Sequence, residues 1–369
     1  MTDVLTRPAT LADGQHTSHV ELLASPTRPV VGAAVDAVIV PASRPASSLG
    51  TATALAADLG CPLVALCSHQ ADPASVQAAS WESDATVIAA SVRRPQDFPQ
   101  LRTTRLLAKG PFEHTADTSL KRNIALVLSR MAGWRHVLFL DDDILGVTAP
   151  VVREAAALLP DYPVVGLANA GYHDNSVVCH ANRDTGGDQA TFVGAGALLC
   201  RGDTTSFFPE VYNEDWFFLL GRDRLADVAV SGSYRQARYD PYANPRRAQQ
   251  EEFGDCLAEG IFALLDDGRP ISDADVRYWR EFLARRAEFI EAILRRLPTA
   301  PGNELRRDRM GAALRASRAV LDQITADLCV RYLRAWRRDR NDWAGYVEPL
   351  PRNLAPDEAL AALGLKVWN

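Results

Sequence analysis

The chain has 369 residues, 47% of them apolar and 23% charged, the composition of an ordinary globular protein with one large or two ordinary domains. A formal net charge of −6 lacks the basic footprint of a nucleic-acid binder, no apolar run reaches the roughly 18 residues that span a bilayer, and no secretory signal stands at the N-terminus. Six scattered cysteines, Cys61, Cys67, Cys179, Cys200, Cys256 and Cys329, lack metal or redox spacing and read as free buried thiols of a cytoplasmic protein whose partners are small molecules.

Residues 1–33, rich in Thr, Ala, Pro and Ser without periodicity, read as a flexible N-terminal tail. From Val35 the pattern changes. Val35 to Val40 is an apolar run that stops at Pro41-Ala-Ser-Arg-Pro45, since prolines end ladders and force a turn. A helix over 47–59, closed by Gly60, leads to a strand over 62–67, and a further strand is expected over 85–90. Strands alternating with helices predict right-handed βαβ units and a parallel sheet.

The segment 118–131 places Leu120, Ile124, Leu128 and Met131 on one helical face. Lys121, Arg122 and Asn123 fall in its first turn, where free N–H groups and basic side chains together make an anion site. Gly133 then turns the chain into His136-Val-Leu-Phe-Leu-Asp-Asp-Asp143, a buried strand ending in three carboxylates. In open α/β sheets ligands collect at that end of a strand. Adjacent carboxylates raise one another's pKa unless a cation neutralises them, and a hard oxygen-seeking ion, Mn²⁺ or Mg²⁺, is the natural partner.

A helix over 151–159 and a strand over 163–167 follow, then a polar stretch in which His173, Asp174 and His180 are candidate ligands. The run 191–200 reads as a strand whose Gly194 and Gly196 permit a ligand to approach the backbone. Glu214 and Asp215 precede Trp216-Phe-Phe218, an acid pair expensive to bury and so expected at a cleft rim, or else capping a helix. Residues 234–247, aromatic, basic and proline-containing, match no regular element and read as a lid. A helix over 249–265, a second over 276–297, and a third and longer one over 310–336 complete the chain; the last two are expected to form a hairpin that packs on the sheet or makes a homodimer.

In order, Pro41-Ala-Ser-Arg44, Lys121-Arg-Asn123, Asp141-Asp-Asp143, Gly194-Ala-Gly196 and Glu214-Asp215 resemble the pieces of GT-A fold glycosyltransferases, particularly the inverting family-2 type, over about residues 35–221. The resemblance implies an α/β fold with a Rossmann-like, mostly parallel sheet flanked by helices, spanning 34–265, with a helical C-terminal extension over 266–369. It implies a nucleoside-diphosphate sugar as donor, UDP or GDP staying open, and an acceptor of unknown identity. Pro41, Ser43 and Arg44 would contact the nucleoside, Lys121, Arg122 and Asn123 the diphosphate, and Asp141 and Asp142 the ribose or sugar, with Gly194 and Gly196 beside them. Asp143 would bind the metal directly, together with Asp141, and Asp215 or Glu214 would act as base. The Gln-x-x-Arg-Trp motif of processive membrane synthases is absent, and no histidine follows His180 to complete a metal shell, a place Asp240 or water would have to fill. Rival readings are a haloacid-dehalogenase-like phosphatase using Asp141 and Asp143, a sugar-nucleotide pyrophosphorylase, whose glycine-rich first loop is missing here, and a non-catalytic nucleotide-binding module.

Overall fold

A computed structural model of the chain describes residues 19–26, 31–81, 83–173 and 176–368. The first half alternates strand and helix: β1 (Ala37–Val40), α1 (Gly50–Leu59), β2 (Leu63–Cys67), α2 (Pro73–Ala79), β3 (Val87–Ser91), α3 (Arg102–Leu107), α4 (Thr118–Ala132) and β4 (His136–Leu140). A two-residue β5 (Ile144–Leu145) follows, then α5 (Ala149–Ala156), β6 (Val164–Asn169), α6 (Val177–Asp184), β7 (Ala197–Arg201), α7 (Glu214–Leu219) and β8 (Val228–Gln236). The remainder is α8 (Pro245–Asp266), α9 (Val276–Arg296), α10 (Glu304–Leu321), α11 (Ala326–Val347), α12 (Pro356–Ala362) and a last strand, β9 (Lys366–Trp368).

These elements form two compact units of interleaved segments: a helical unit of residues 1–22, 175–192 and 240–331, and a sheet unit of 23–174, 193–239 and 332–369. The expected tail over 1–33 lies mostly outside the described residues; of its described part, His19 belongs to the helical unit and Ala24 pairs with Ala229 of β8 in the sheet unit.

The sheet is mixed rather than mostly parallel. Its nine strands run β5-β8-β6-β7-β4-β1-β2-β3-β9. The β1–β2, β1–β4, β2–β3 and β6–β8 pairs are parallel, as alternating βαβ segments dictate. Antiparallel β7 wedges between β4 and β6, and β9 closes the β3 edge antiparallel. Strands β1, β2 and β4 are covered on both faces, which is why they read as unbroken apolar runs. On one face Leu55 and Ala56 of α1 join Val152 and Ala155 of α5 over Val38, Leu63 and Leu138 in a single apolar cluster. Helix α1 ends at Gly60, whose φ of 70° supplies the left-handed cap.

Several boundaries move. The strand expected over 191–200 starts only at Ala197, the run before it being loop, and the lid expected over 234–247 is divided between the end of β8 and the start of α8. The long helix expected over 310–336 is two helices: α10 stops at Leu321, and the Thr325 hydroxyl accepts the Leu328 N–H at 3.1 Å, starting α11 afresh. From Tyr332 onward α11 belongs to the sheet unit, where Tyr332 and Trp336 meet the Phe217 ring of α7 edge-on at 5.8 and 5.6 Å. Asp339 of α11 accepts the Arg102 and Thr103 N–H groups and so caps α3.

In the helical unit α9 lies on α8 at Gly260, where a Cβ would meet the Trp279 ring at 2.5 Å. Beside it Arg286, 1% exposed, pairs with Glu252 and with Asp255 at 2.9 and 2.6 Å. His19 is 2% exposed and lies between Asp266 and Glu259. Burial opposes its charge, but hydrogen bonds to both carboxylates outweigh that and lift its pKa from 6.5 to about 9.

Candidate active site

The sheet unit brings the expected carboxylates together at the end of β4. That strand is central, with β1 on one side and β7 on the other, so its end is fixed by two ladders. The Asp141 N–H donates to Gly196 and the Ile144 N–H to Asp141, turning the chain directly into β5. Asp141, Asp142 and Asp143 then take different partners.

Asp142, 9% exposed, anchors the loop after β1. One of its oxygens accepts the Ser43 and Arg44 N–H groups at 2.8 and 2.9 Å, and the other is paired with the Arg44 guanidinium. Asp143 accepts from Arg44 at 3.1 Å and from the Gln236 amide at 3.4 Å. Asp141 receives one Arg122 nitrogen on both oxygens, at 2.8 and 3.1 Å.

Helix α4 holds this end from behind. Its three polar residues at 121–123, expected at the diphosphate, are turned to protein acceptors. The Lys121 ammonium, wholly buried, donates to the Ala42 carbonyl and the Ser43 hydroxyl, each at 2.8 Å, and pairs with Asp117 at 3.1 Å. Desolvation lowers its pKa. Arg122, 4% exposed, bridges Asp141 and Glu214, the latter at 2.6 Å, with its guanidinium 5.6 Å from the centre of the Phe208 ring. Asn123 exchanges two hydrogen bonds with the Phe208 backbone. Lys121 and Asp142 thus shape the Pro41 to Arg44 loop, and Arg122 ties the two acid clusters together.

The acid pair opens α7. Asn213 holds a left-handed φ of 60°, which a short polar side chain tolerates, and this turn sends successive carboxylates to different places. Glu214 goes inward to Arg122. Asp215 stays half-buried, one oxygen accepting the Ala195 N–H at 2.8 Å and the other the Trp216 N–H at 2.9 Å. Gly194 makes this approach possible: a Cβ there would lie 2.8 Å from the same Asp215 oxygen. At Gly196 a Cβ would meet the Tyr234 hydroxyl at 3.0 Å.

Five carboxylates are gathered around two arginines here, Arg44 and Arg122, and burial, with the neighbouring negative charges adding to it, favours the protonated form of two of them. Burial, opposed by Arg122 and reinforced by Asp143 and Asp142, raises Asp141 from 3.8 to about 6. Burial, opposed by Arg122 and reinforced by Asp215 and Asp141, raises Glu214 from 4.5 to about 7. A divalent ion fits this donor set: Asp141 and Asp143 offer hard oxygens, and the Arg44 side chain beside Asp143 is half exposed and displaceable.

Other candidates lie elsewhere. Asp174 is outside the described residues; His173 is half-buried in the sheet unit, and His180 is buried on α6 of the helical unit. Asp240, also in the helical unit, pairs with Arg309 at 3.2 Å. Among the described residues, Cys179, Asp255 and Glu259 of the helical unit have ligand atoms within 4.8 Å of one another. Arg286 and His19 already neutralise those acids. All six cysteines are buried and free, and no described helix is long and apolar enough to cross a membrane.

No protein-family profile matches the chain, and no curated protein matches it. Among solved structures the chain is similar to a mannosyltransferase from Pyrobaculum calidifontis in complex with GDP-Man and Mn²⁺, with 15% identity, a TM-score of 0.43, and coverage of 85% of this chain and 91% of that one.

Proposed function

We propose that the chain is a glycosyltransferase of the GT-A type, moving a sugar from a nucleoside-diphosphate sugar to an acceptor hydroxyl with inversion. One arrangement carries the reading: a carboxylate cluster at the end of β4, joined through Arg122 to Glu214 at the start of α7, with the next residue, Asp215, held by the Ala195 and Trp216 N–H groups. Nothing in sheet packing requires five acids at one end of an apolar strand.

The loop Pro41 to Arg44, braced by Lys121 and Asp142, receives the nucleoside, and Asp141 meets the ribose or sugar hydroxyls. Asp143 and Asp141 would hold Mn²⁺ or Mg²⁺, which supplies charge stabilisation for a departing diphosphate. Asp215 rather than Glu214 takes the acceptor proton. Its carboxylate is oriented by two backbone N–H groups and remains partly accessible, whereas Glu214 is buried against Arg122. A carboxylate so placed deprotonates the hydroxyl as its oxygen attacks the anomeric carbon and the diphosphate leaves from the opposite face.

The test is calorimetric binding of UDP, GDP, CDP and TDP with and without Mn²⁺, followed by turnover with the sugar of whichever nucleotide binds. Metal-dependent binding that is lost in Asp143→Ala, with Asp215→Asn binding normally but slowed by the roughly 10²–10⁴-fold a general base supplies, is the expected result. Absence of binding by every nucleotide, or an unchanged rate in Asp215→Asn, overturns it.

A further inference from the structure

The opposite end of β4 carries a second concentration of charge, of the other sign. His136 there stands across from Arg201 in the β4–β7 ladder. At about 3.3 Å per residue this end is roughly 16 Å from the carboxylates. A cleft of about 250 Å³ opens there, lined by Arg130, Arg135, Arg201 and Arg352 together with Trp134 and Asp203.

Arg130 is the observation that points to a ligand. It sits in the last turn of α4, 7% exposed, with its terminal nitrogens donating only to neutral acceptors, the carbonyls of Asp203 and Glu348, each at 3.2 Å. Its Nε is buried and has no acceptor. Asp203, the one carboxylate lining the cleft among the described residues, is engaged on both oxygens by Arg201, at 3.1 and 3.0 Å. Burial, followed by the like charge of Arg352, lowers the pKa of Arg130, with Asp203 and Glu348 opposing. A buried guanidinium whose terminal nitrogens meet carbonyls in place of a carboxylate is costly. The floor is rigid: a Cβ on Gly202 would lie 2.2 Å from the Trp134 carbonyl, and one on Gly133 2.5 Å from the Asn353 amide oxygen.

We propose that this cleft binds a small phosphate monoester, held by Arg130 with Arg135 and Arg352. Planar guanidinium donors match tetrahedral oxyanions bidentately, and Trp134 offers an apolar wall to what the phosphate carries. The volume falls below the roughly 300–1,000 Å³ of drug-sized pockets, so the cleft selects a small ligand. A free phosphorylated metabolite and the phosphate of a lipid headgroup present the same group.

The experiment is calorimetric titration of the full chain with inorganic phosphate and with glucose 6-phosphate, ionic strength held constant with chloride so that screening is not read as binding. It is paired with co-sedimentation on phosphatidic acid vesicles. Arg135→Ser/Arg352→Ser removes two exposed residues and leaves the core intact; Arg130→Met removes the buried one. The expected result is saturable phosphate binding, weakened at least about tenfold in the double variant and lost in Arg130→Met. Binding to the vesicles alone, lost in the double variant, assigns the site to a headgroup. No binding in either arm, or binding unchanged in the double variant, overturns the proposal.

Discussion

Replacing Arg122 by methionine isolates the charge that holds the two acid clusters together. In the wild type the guanidinium is 4% exposed and contacts Asp141 and Glu214 at 2.8 and 2.6 Å. Methionine keeps much of the volume and leaves both acids facing Asp215 and Asp143 without compensation. Removing one partner of a buried pair costs about 3–5 kcal/mol when the other stays charged. Glu214, however, does not stay charged at every pH. Its native pKa of about 7 lies above the unfolded value of 4.5, so the native state binds the proton more tightly. The stability this contributes is complete below pH 4.5 and is lost as pH rises through about 7. In the variant the lowering influence of Arg122 is gone and that native pKa climbs further. Near pH 5 Glu214 is protonated in both proteins and the substitution costs little. At pH 8 the wild type has an ion pair and the variant a naked carboxylate or a proton taken up against the pH gradient, at about 1.4 kcal/mol per unit. Urea denaturation of both proteins from pH 5 to 8 reads the difference as a widening gap in midpoint. A gap of several kcal/mol that is the same at every pH, or one under about 1 kcal/mol at pH 8, would refute the assignment of Glu214 as Arg122's titrating partner.

His19→Gln should show the opposite trend, a gap from wild type that closes as pH rises. The native pKa of about 9 against 6.5 unfolded means the imidazolium's contribution, about 3 kcal/mol, is fully present below pH 6.5 and disappears as pH rises through about 9. Thermal melts of wild type and variant should therefore converge at alkaline pH, and parallel curves would remove the charged-histidine reading. Gly194→Ala places a methyl 2.8 Å from the Asp215 oxygen. It is expected to leave nucleotide affinity nearly unchanged and to slow transfer by about 10²-fold through misplacement of that carboxylate; wild-type turnover would refute it.

Local pattern revealed part of the fold, while α2 and α6 went unread despite their Asp72 and Ser176 caps. The apolar runs of β1, β2 and β4 read correctly because strands covered on both faces carry no alternation to decode, and Gly60 and Gly133 announced the helix ends they close. The antiparallel entry of β7 and the return of β9 to the sheet edge were not legible, since neither segment encodes its neighbour. At the site, the residue types were legible and their partners were not. Nothing near Lys121 in sequence says that its ammonium closes on Ala42 and Ser43, 79 and 78 residues away, nor that Arg122 reaches Glu214 across 92 residues. A basic pair in a helix's first turn has the same local signature whether it faces a phosphate or a carboxylate. His19 was unreadable for the same reason: its acids lie 240 and 247 residues downstream.

The interleaving of the two units has a kinetic side. The helical unit draws on residues before 23, between 175 and 192, and between 240 and 331, while the sheet unit needs β9 to cover its β3 edge. During synthesis the first strands emerge long before either β9 or the acids that receive His19. The entropy of closing such loops grows only logarithmically, so it weighs little on final stability. It weighs instead on speed, because non-local pairings must be found before they reward the search. Until then an apolar β3 edge stands open, the geometry on which nascent chains pair wrongly with one another. The yield of folded protein should therefore depend on how concentrated the nascent chains are.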